Sequence, residues 1–274
     1  MTHADDLDSE ARTPDIADPA VLTETTDLPV PGAPTRMTTY LARPAEPGDH
    51  PVVLLGGELW GLNDDIRDVA RQVAALGHVA VVPNLYHRTD PASRDGFARS
   101  DANRAHAFDL VGRLTRDEVE ADFRAAADHA RPHAGAAERT GILGFSLGGH
   151  LAYFAATRLR LAAAAIYYPG WLATSGTALS RPAPLLDDTG RIAEHGTRVA
   201  LFYAGRDHII DAAQVEAART ALTEAGVRHD ITVHEEAPHA FFFPGHDTYD
   251  KVAADLSWER VADLFRTELR HGNG

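Results

Sequence analysis

The stretch "GILGFSLGGH", Gly141 to His150, sets a single serine among glycines and apolar residues. A buried strand favours an apolar residue at that position, and an ordinary turn has no need of glycine on both sides of a serine. Gly144-Phe145-Ser146-Leu147-Gly148 matches G-x-S-x-G, a motif that requires a strand before it and a helix after it. "RTGILGF" (139–145) reads as that strand and "LGGHLAYFAAT" (147–157) as that helix. On so tight a turn, side chains two positions to either side would collide with the strand and helix, so both flanks are glycine. The turn lifts the Ser146 hydroxyl above the sheet edge, and the helix turns its free N–H groups toward any oxyanion formed there. The competing reading is a glycine-rich packing turn with an incidental serine. The strand and helix in their required places favour a nucleophile.

Outward from this point the chain alternates. "TRMTTYLARP" (35–44), "PVVLLGG" (51–57), "HVAVVPN" (78–84), "LAAAAIYYP" (161–169), "RVALFYAG" (198–205) and "HDITVHEE" (229–236) read as further strands. "NDDIRDVARQVAALG" (63–77), with Asn63 as N-cap and Gly77 as stop, reads as a helix, as do 115–130, 211–226 and 247–270. Strands separated by helices of this length imply right-handed crossovers and a mainly parallel sheet covered on both faces. Ligands of such sheets bind at the carboxyl ends of the strands. Residues 1–22, rich in Asp, Ala and Thr, read as a disordered acidic tail, and 23–274 as one domain.

Composition limits the chemistry. A formal net charge of −14 over 274 residues argues against nucleic acid as a partner. No apolar run of membrane-spanning length exists, and the acidic start "MTHADDLDSEARTPDIADPA" lacks the pattern of a signal peptide, so the expected location is the cytoplasm. With no cysteine there is no disulfide, thiolate metal site or cysteine nucleophile. Lys251 is the only lysine, which removes a lysine-bearing phosphate loop. None of the fifteen histidines falls in H-E-x-x-H; His129 and His133 are four apart, but Pro132 lies between them near a helix end. No metal or organic cofactor is implied, and most histidines read as surface residues.

A serine nucleophile needs a base and an orienting acid, in the chain order Ser, Asp or Glu, His. "VALFYAGRDHIID" offers Asp207 just past a strand; Asp211 is better read as the cap of the following helix. "HEEAPHAFFFPG" offers His239 in the short loop after the last strand, ahead of an aromatic cluster able to shield the site from water. His234 lies inside that strand and His246 nearer the closing helix. The predicted set is therefore Ser146, Asp207 and His239. Glu58 follows an apolar strand at its carboxyl end, where a carboxylate is costly unless solvated, paired or used. It reads as functional, against a solvated loop acid or a helix cap.

Together, "LLGGELWGLNDDIRDVARQVAALGHVAVVPNLYHR", "GILGFSLGGHLA", "IYYPG", "LFYAGRDHII" and "EEAPHAFF" resemble the dienelactone hydrolase family of α/β-hydrolases, from about residue 35 to the last helix. The resemblance implies that Glu58 interacts with the resting nucleophile and takes part in its activation. It also implies that the backbone N–H groups of Leu59 and Leu147 form the oxyanion hole. Two departures stand out. The best-known members carry a cysteine where this chain has Ser146, so the serine must rely more on His239 as general base. Those enzymes also bind the substrate carboxylate with two arginines; this sequence keeps one as Arg88 in "NLYHR" and has Phe243 in place of the second, leaving half of an anion clamp and an aromatic ring that favours an apolar substituent on the substrate.

The segment 170–197 is longer than a crossover needs and reads as a lid or substrate wall, with Trp171 either in the pocket or in packing. The expected protein is a single-domain α/β-hydrolase cleaving a small ester or lactone through an acyl-Ser146 intermediate. Acyl transfer, lactone formation or rearrangement at the same site, and a non-catalytic binding protein on this scaffold, are the alternatives. A small-molecule ester or lactone is the expected partner; the oligomeric state is not legible.

Overall fold

Five buried residues in a row, Val52–Gly56, form strand β3. Successive side chains of a strand point to opposite faces, so an unbroken buried run means that both faces are covered. The computed structural model describes residues 20–175 and 177–269. In it β3 lies between β4 (Val79–Pro83) and β5 (Thr140–Phe145), parallel to both. Beyond β5 come β6 (Ala163–Tyr167), β7 (Arg198–Arg206) and β8 (His229–Pro238), all parallel. On the other side of β4 lie β2 (Arg36–Pro44) and the edge strand β1 (Val21–Pro29), each antiparallel to its neighbour. The eight-stranded order is β1-β2-β4-β3-β5-β6-β7-β8, the mainly parallel sheet of an α/β-hydrolase.

The crossovers are helical. α1 (Asp64–Ala75) joins β3 to β4, and α2 (Asp101–Gly112) and α3 (Arg116–Ala130) lead into β5. α4 (Leu147–Arg158), α5 (Thr189–His195) and α6 (Ala212–Glu224) connect the following strands, and α7 (Lys251–Glu268) comes last. The caps are where the sequence predicts them: Asn63 accepts from Ile66 N and Asp211 from Gln214 N. Among the described residues no helix is long and apolar enough to cross a membrane.

Three elements escape the sequence pattern. β1 is a polar edge strand, "VLTETTDLP", exposed along most of its length, so it lacks the alternation that marks a half-buried strand. Of the tail expected over 1–22, residues 1–19 lie outside the described residues, whereas Val21 and Leu22 already pair with Pro44 and Arg43. α2 buries only Ala107, Leu110 and Val111, too narrow a stripe to stand out. α5 is seven residues long and lies inside the segment 170–197.

The described part of that segment is tied down. Buried Arg116 donates to Leu179 O (2.8 Å) and Ala183 O (2.7 Å), and His150 Nδ1 bonds Gly170 O (2.9 Å). It forms an anchored wall beside the carboxyl ends of β5 and β6.

Candidate active site

Ser146 occupies the turn between β5 and α4 with φ 53° and ψ −111°, a backbone state that side chains other than glycine rarely adopt. Its N–H donates to Tyr167 O (3.0 Å), which fixes the turn against β6. Close approach explains the flanking glycine: a Cβ on Gly148 would stand 2.0 Å from Gly56 O and 2.4 Å from Gly57 O. Only a residue without a side chain lets α4 begin against the end of β3. Leu147 is the first residue of α4, so its N–H has no acceptor within the helix.

Asp207 and His239 follow the ends of β7 and β8, two and three strands along the sheet from β5. Between Ala204 and Arg206 the β7–β8 register shifts: Ala204 faces His234, but Arg206 faces Pro238. β8 thus spends four residues where β7 spends two. The extra length brings the end of β8 alongside Asp207, a use of bulges that recurs next to active sites. Gly205 makes room for it, since a Cβ there would meet Glu235 O at 2.3 Å. His239 Nδ1 lies 2.7 Å from Asp207 Oδ2, and Nε2 lies 3.1 Å from Ser146 Oγ. Asp207 Oδ1 accepts from Ile209 N (2.8 Å) and Ile210 N (3.0 Å). Burial pulls the Asp207 pKa upward; the His239 partner and those two N–H groups outweigh it and hold the carboxyl below its ordinary value. An ionised Asp207 accepts the Nδ1 proton, leaving Nε2 free to accept from the serine.

Glu58 is the second residue of the loop after β3. Burial pushes its carboxyl up to about 7, against the favourable charges of His239 and Arg99. Its Oε1 and the Tyr168 hydroxyl are both buried without a hydrogen-bond partner. Leu59 O accepts from Tyr86 Oη (2.9 Å), which holds the peptide that follows Leu59, and among the described residues nothing accepts from the Leu59 N–H. Backbone strain collects here: Ser146, Tyr168, Trp171 and Ala240 are the non-glycine residues with left-handed φ among those described. Each such residue costs on the order of 1–3 kcal/mol, supplied by the surrounding fold.

Ser146, Leu147, Glu58, Leu59, His239 and Trp171 line one cavity of about 150 Å³, with Asp207 behind His239. Arg88, expected to keep half of an anion clamp, and Phe243, expected to meet the substrate where the second arginine is missing, do not line it. Arg88 Nη1 binds both Asp122 carboxylate oxygens at 2.6 Å, because Asp122 on α3 is fully buried and needs a counter-charge. Phe243 is buried against Phe145, with ring centroids 5.0 Å apart; Phe242 packs on the same ring at 4.8 Å. The aromatic cluster therefore supports the His239 loop from beneath. Arg99, Arg104 and Phe108, which sequence reading passed over, do line the cavity. The only local signal was Ser100, which caps α2 by accepting from Asn103 N. Four histidines, at 78, 87, 150 and 239, are buried rather than superficial. Among the described residues no group of three or more His, Asp or Glu is placed to hold a metal ion; His129 and His133 both face Glu24, at 3.5 and 3.7 Å.

Comparison with known proteins fits this geometry. A Synechocystis sp. protein described as "Putative carboxymethylenebutenolidase" is 32% identical over 252 residues, covering 90% of this chain and 98% of its own. An Escherichia coli protein of the same description is 31% identical, covering 91% of this chain and 88% of its own. A Klebsiella pneumoniae crystal structure, "Putative Dienelactone Hydrolase", superposes with a TM-score of 0.79 at 29% identity, covering 90% of this chain and 99% of that one. The model of the Dienelactone hydrolase family matches residues 37–269, nearly all of the sheet and its helices, so the chain belongs to the dienelactone hydrolase family.

Proposed function

We propose that this hydrolase cleaves a small ester or lactone through an acyl-Ser146 intermediate. The observation that carries the reading is the hydrogen-bond chain from Ser146 Oγ through His239 to Asp207, at 3.1 and 2.7 Å, opening on a closely walled cavity. His239 Nε2 takes the hydroxyl proton as Oγ adds to the acyl carbon. The developing oxyanion accepts from the Leu59 and Leu147 N–H groups, and Asp207 stabilises the imidazolium. Collapse breaks the bond to the leaving oxygen, which receives the proton from His239. Water, deprotonated by the same nitrogen, then releases the acid and restores Ser146. In a lactone the leaving oxygen stays tethered to the acyl group, so one molecule of hydroxy acid results. A cavity of about 150 Å³ suits a reacting end of roughly one ring. The relatives described as carboxymethylenebutenolidases support a lactone among the substrates.

The test is labelling with a fluorophosphonate, peptide mass spectrometry, and hydrolysis of a panel of lactones and aryl esters. The label should fall on Ser146, and Ser146→Ala should lose roughly three or more orders of magnitude in kcat/KM. A folded Ser146→Ala variant with near-full activity would overturn the mechanism.

A further inference from the structure

Building on that acyl-serine reading, we propose that Arg99 and Arg104 hold an oxyanion at the far end of the substrate, with Phe108 and Trp171 covering the flat apolar body between. Both arginines line the same cavity as Ser146 and His239. The chain holds forty acidic residues at a net charge of −14, and 13 of its 23 described arginines sit against a carboxylate. Arg99 and Arg104 are among the ten that do not.

At Arg99 the neighbours account for that. Arg99 Nη1 donates to His246 Nδ1, and a guanidinium only donates, so Nδ1 is the accepting nitrogen. His246 Nε2 therefore carries the proton and donates to Asp65 Oδ2 at 3.0 Å, which occupies the carboxylate that would otherwise attract Arg99. Arg99 is held by one N–H, with the rest of its fork uncommitted. The position that family resemblance assigned to anion binding is closed, since Arg88 is spent on buried Asp122. Trp171 and Phe108 meet edge to face with centroids 6.1 Å apart, and Phe108, 45% exposed in the cavity wall, leaves apolar surface open to a ligand there. Adjacent guanidinium and aromatic surfaces select a planar apolar group carrying a carboxylate or phosphate.

Binding is read in the full chain from the fluorescence of Trp60 and Trp171, both in the cavity wall, with benzoate, phenyl phosphate and neutral benzamide as probes. At low salt one or both anions should bind about tenfold more tightly than benzamide, as expected of a charge-assisted hydrogen bond. The tighter of the two identifies the acid. Arg99→Gln with Arg104→Gln should abolish the preference, and Arg113→Gln, which removes a cation paired with Asp109 elsewhere near α2, should retain it. The kcat/KM ratio between a carboxylate-bearing aryl ester and its amide-bearing counterpart should fall by the same factor in the double variant. Equal binding of benzoate, phenyl phosphate and benzamide, no saturable binding of either anion, or a preference that survives the double variant overturns the proposal. Since the probes are not hydrolysed, a failed acyl-serine reading shows separately, as absence of fluorophosphonate label on Ser146.

Discussion

Glu58 stands where a carboxylate costs most, with one oxygen buried and unpartnered beside an equally unpartnered tyrosine hydroxyl. Its folded pKa of about 7 against an ordinary 4.5 means that the native state keeps a proton the unfolded chain has already released between those values. Stability therefore falls as pH rises through that window. Glu58→Gln should remove the fall, gaining on the order of 2 kcal/mol over the unmodified protein at pH 8 and little at pH 4.5, as read by urea unfolding. The kcat/KM profile should lose or shift a limb near pH 7 in the same variant; an unchanged profile would make Glu58 a structural acid only. At this scale Ser146, Asp207 and His239 were legible because each follows a strand end in a recognisable local pattern. Arg88 was misread because its partner, Asp122, lies 34 positions away on a helix whose burial no local pattern reveals.

The turn between β5 and α4 works only if α4 can start against the end of β3. Gly148→Ala would drive a Cβ to 2.0 Å from backbone oxygen, with no flexible atom to yield. Overpacking of this kind should cost about 2 kcal/mol or more in chemical denaturation and lower the rate as Ser146 moves. Gly112, at the end of α2, meets nothing within 4 Å and has no left-handed φ, so Gly112→Ala should instead stabilise by about 0.5–1 kcal/mol. Wall elements can be tested separately. Arg116→Ala removes the hydrogen bonds to Leu179 O and Ala183 O and should make the 177–188 stretch a preferred site of limited proteolysis. A wall that stays protected in Arg116→Ala would show that its packing alone suffices. Elements with strong periodicity, such as α1 and α3, were readable from sequence. β1 and α2 were not, because an edge strand and a shallowly seated helix bury too little to impose a period.

Across the whole molecule, stability against acid depends on histidines kept neutral by burial. His78 and His150 are both pushed down to about 4 by desolvation. Between 6.5 and 4 the unfolded chain takes up two protons that these residues refuse in the native state, so stability is lost as pH falls through that window. Glu58 acts in the opposite direction with one proton between 4.5 and 7. His234 and His246, also lowered by desolvation, add to the histidine side, so the net slope between pH 6.5 and 4.5 should be a loss of stability toward acid of at least about one proton, measured as unfolding free energy against pH. His150→Asn should flatten the acid limb while loosening the Gly170 carbonyl that His150 Nδ1 holds. An acid limb unchanged in that variant would mean that His150 is not the group responsible.

Sequence by itself determined the alternation of strands and helices, the strained turn at Ser146 and the order of Ser146, Asp207 and His239. These follow from contacts within a few residues: hydrophobic period, helix caps, and glycines required by a strained turn. Tertiary structure alone decided what converges on the cavity. The two-residue excess of β8 over β7 brings His239 to Asp207, a buried carboxylate on α3 withdraws Arg88, and the entry to α2 with its first turn brings Arg99 and Arg104 to the cavity wall. Charge and burial act through space, between segments far apart in the chain, and no local pattern of residues encodes where such groups meet.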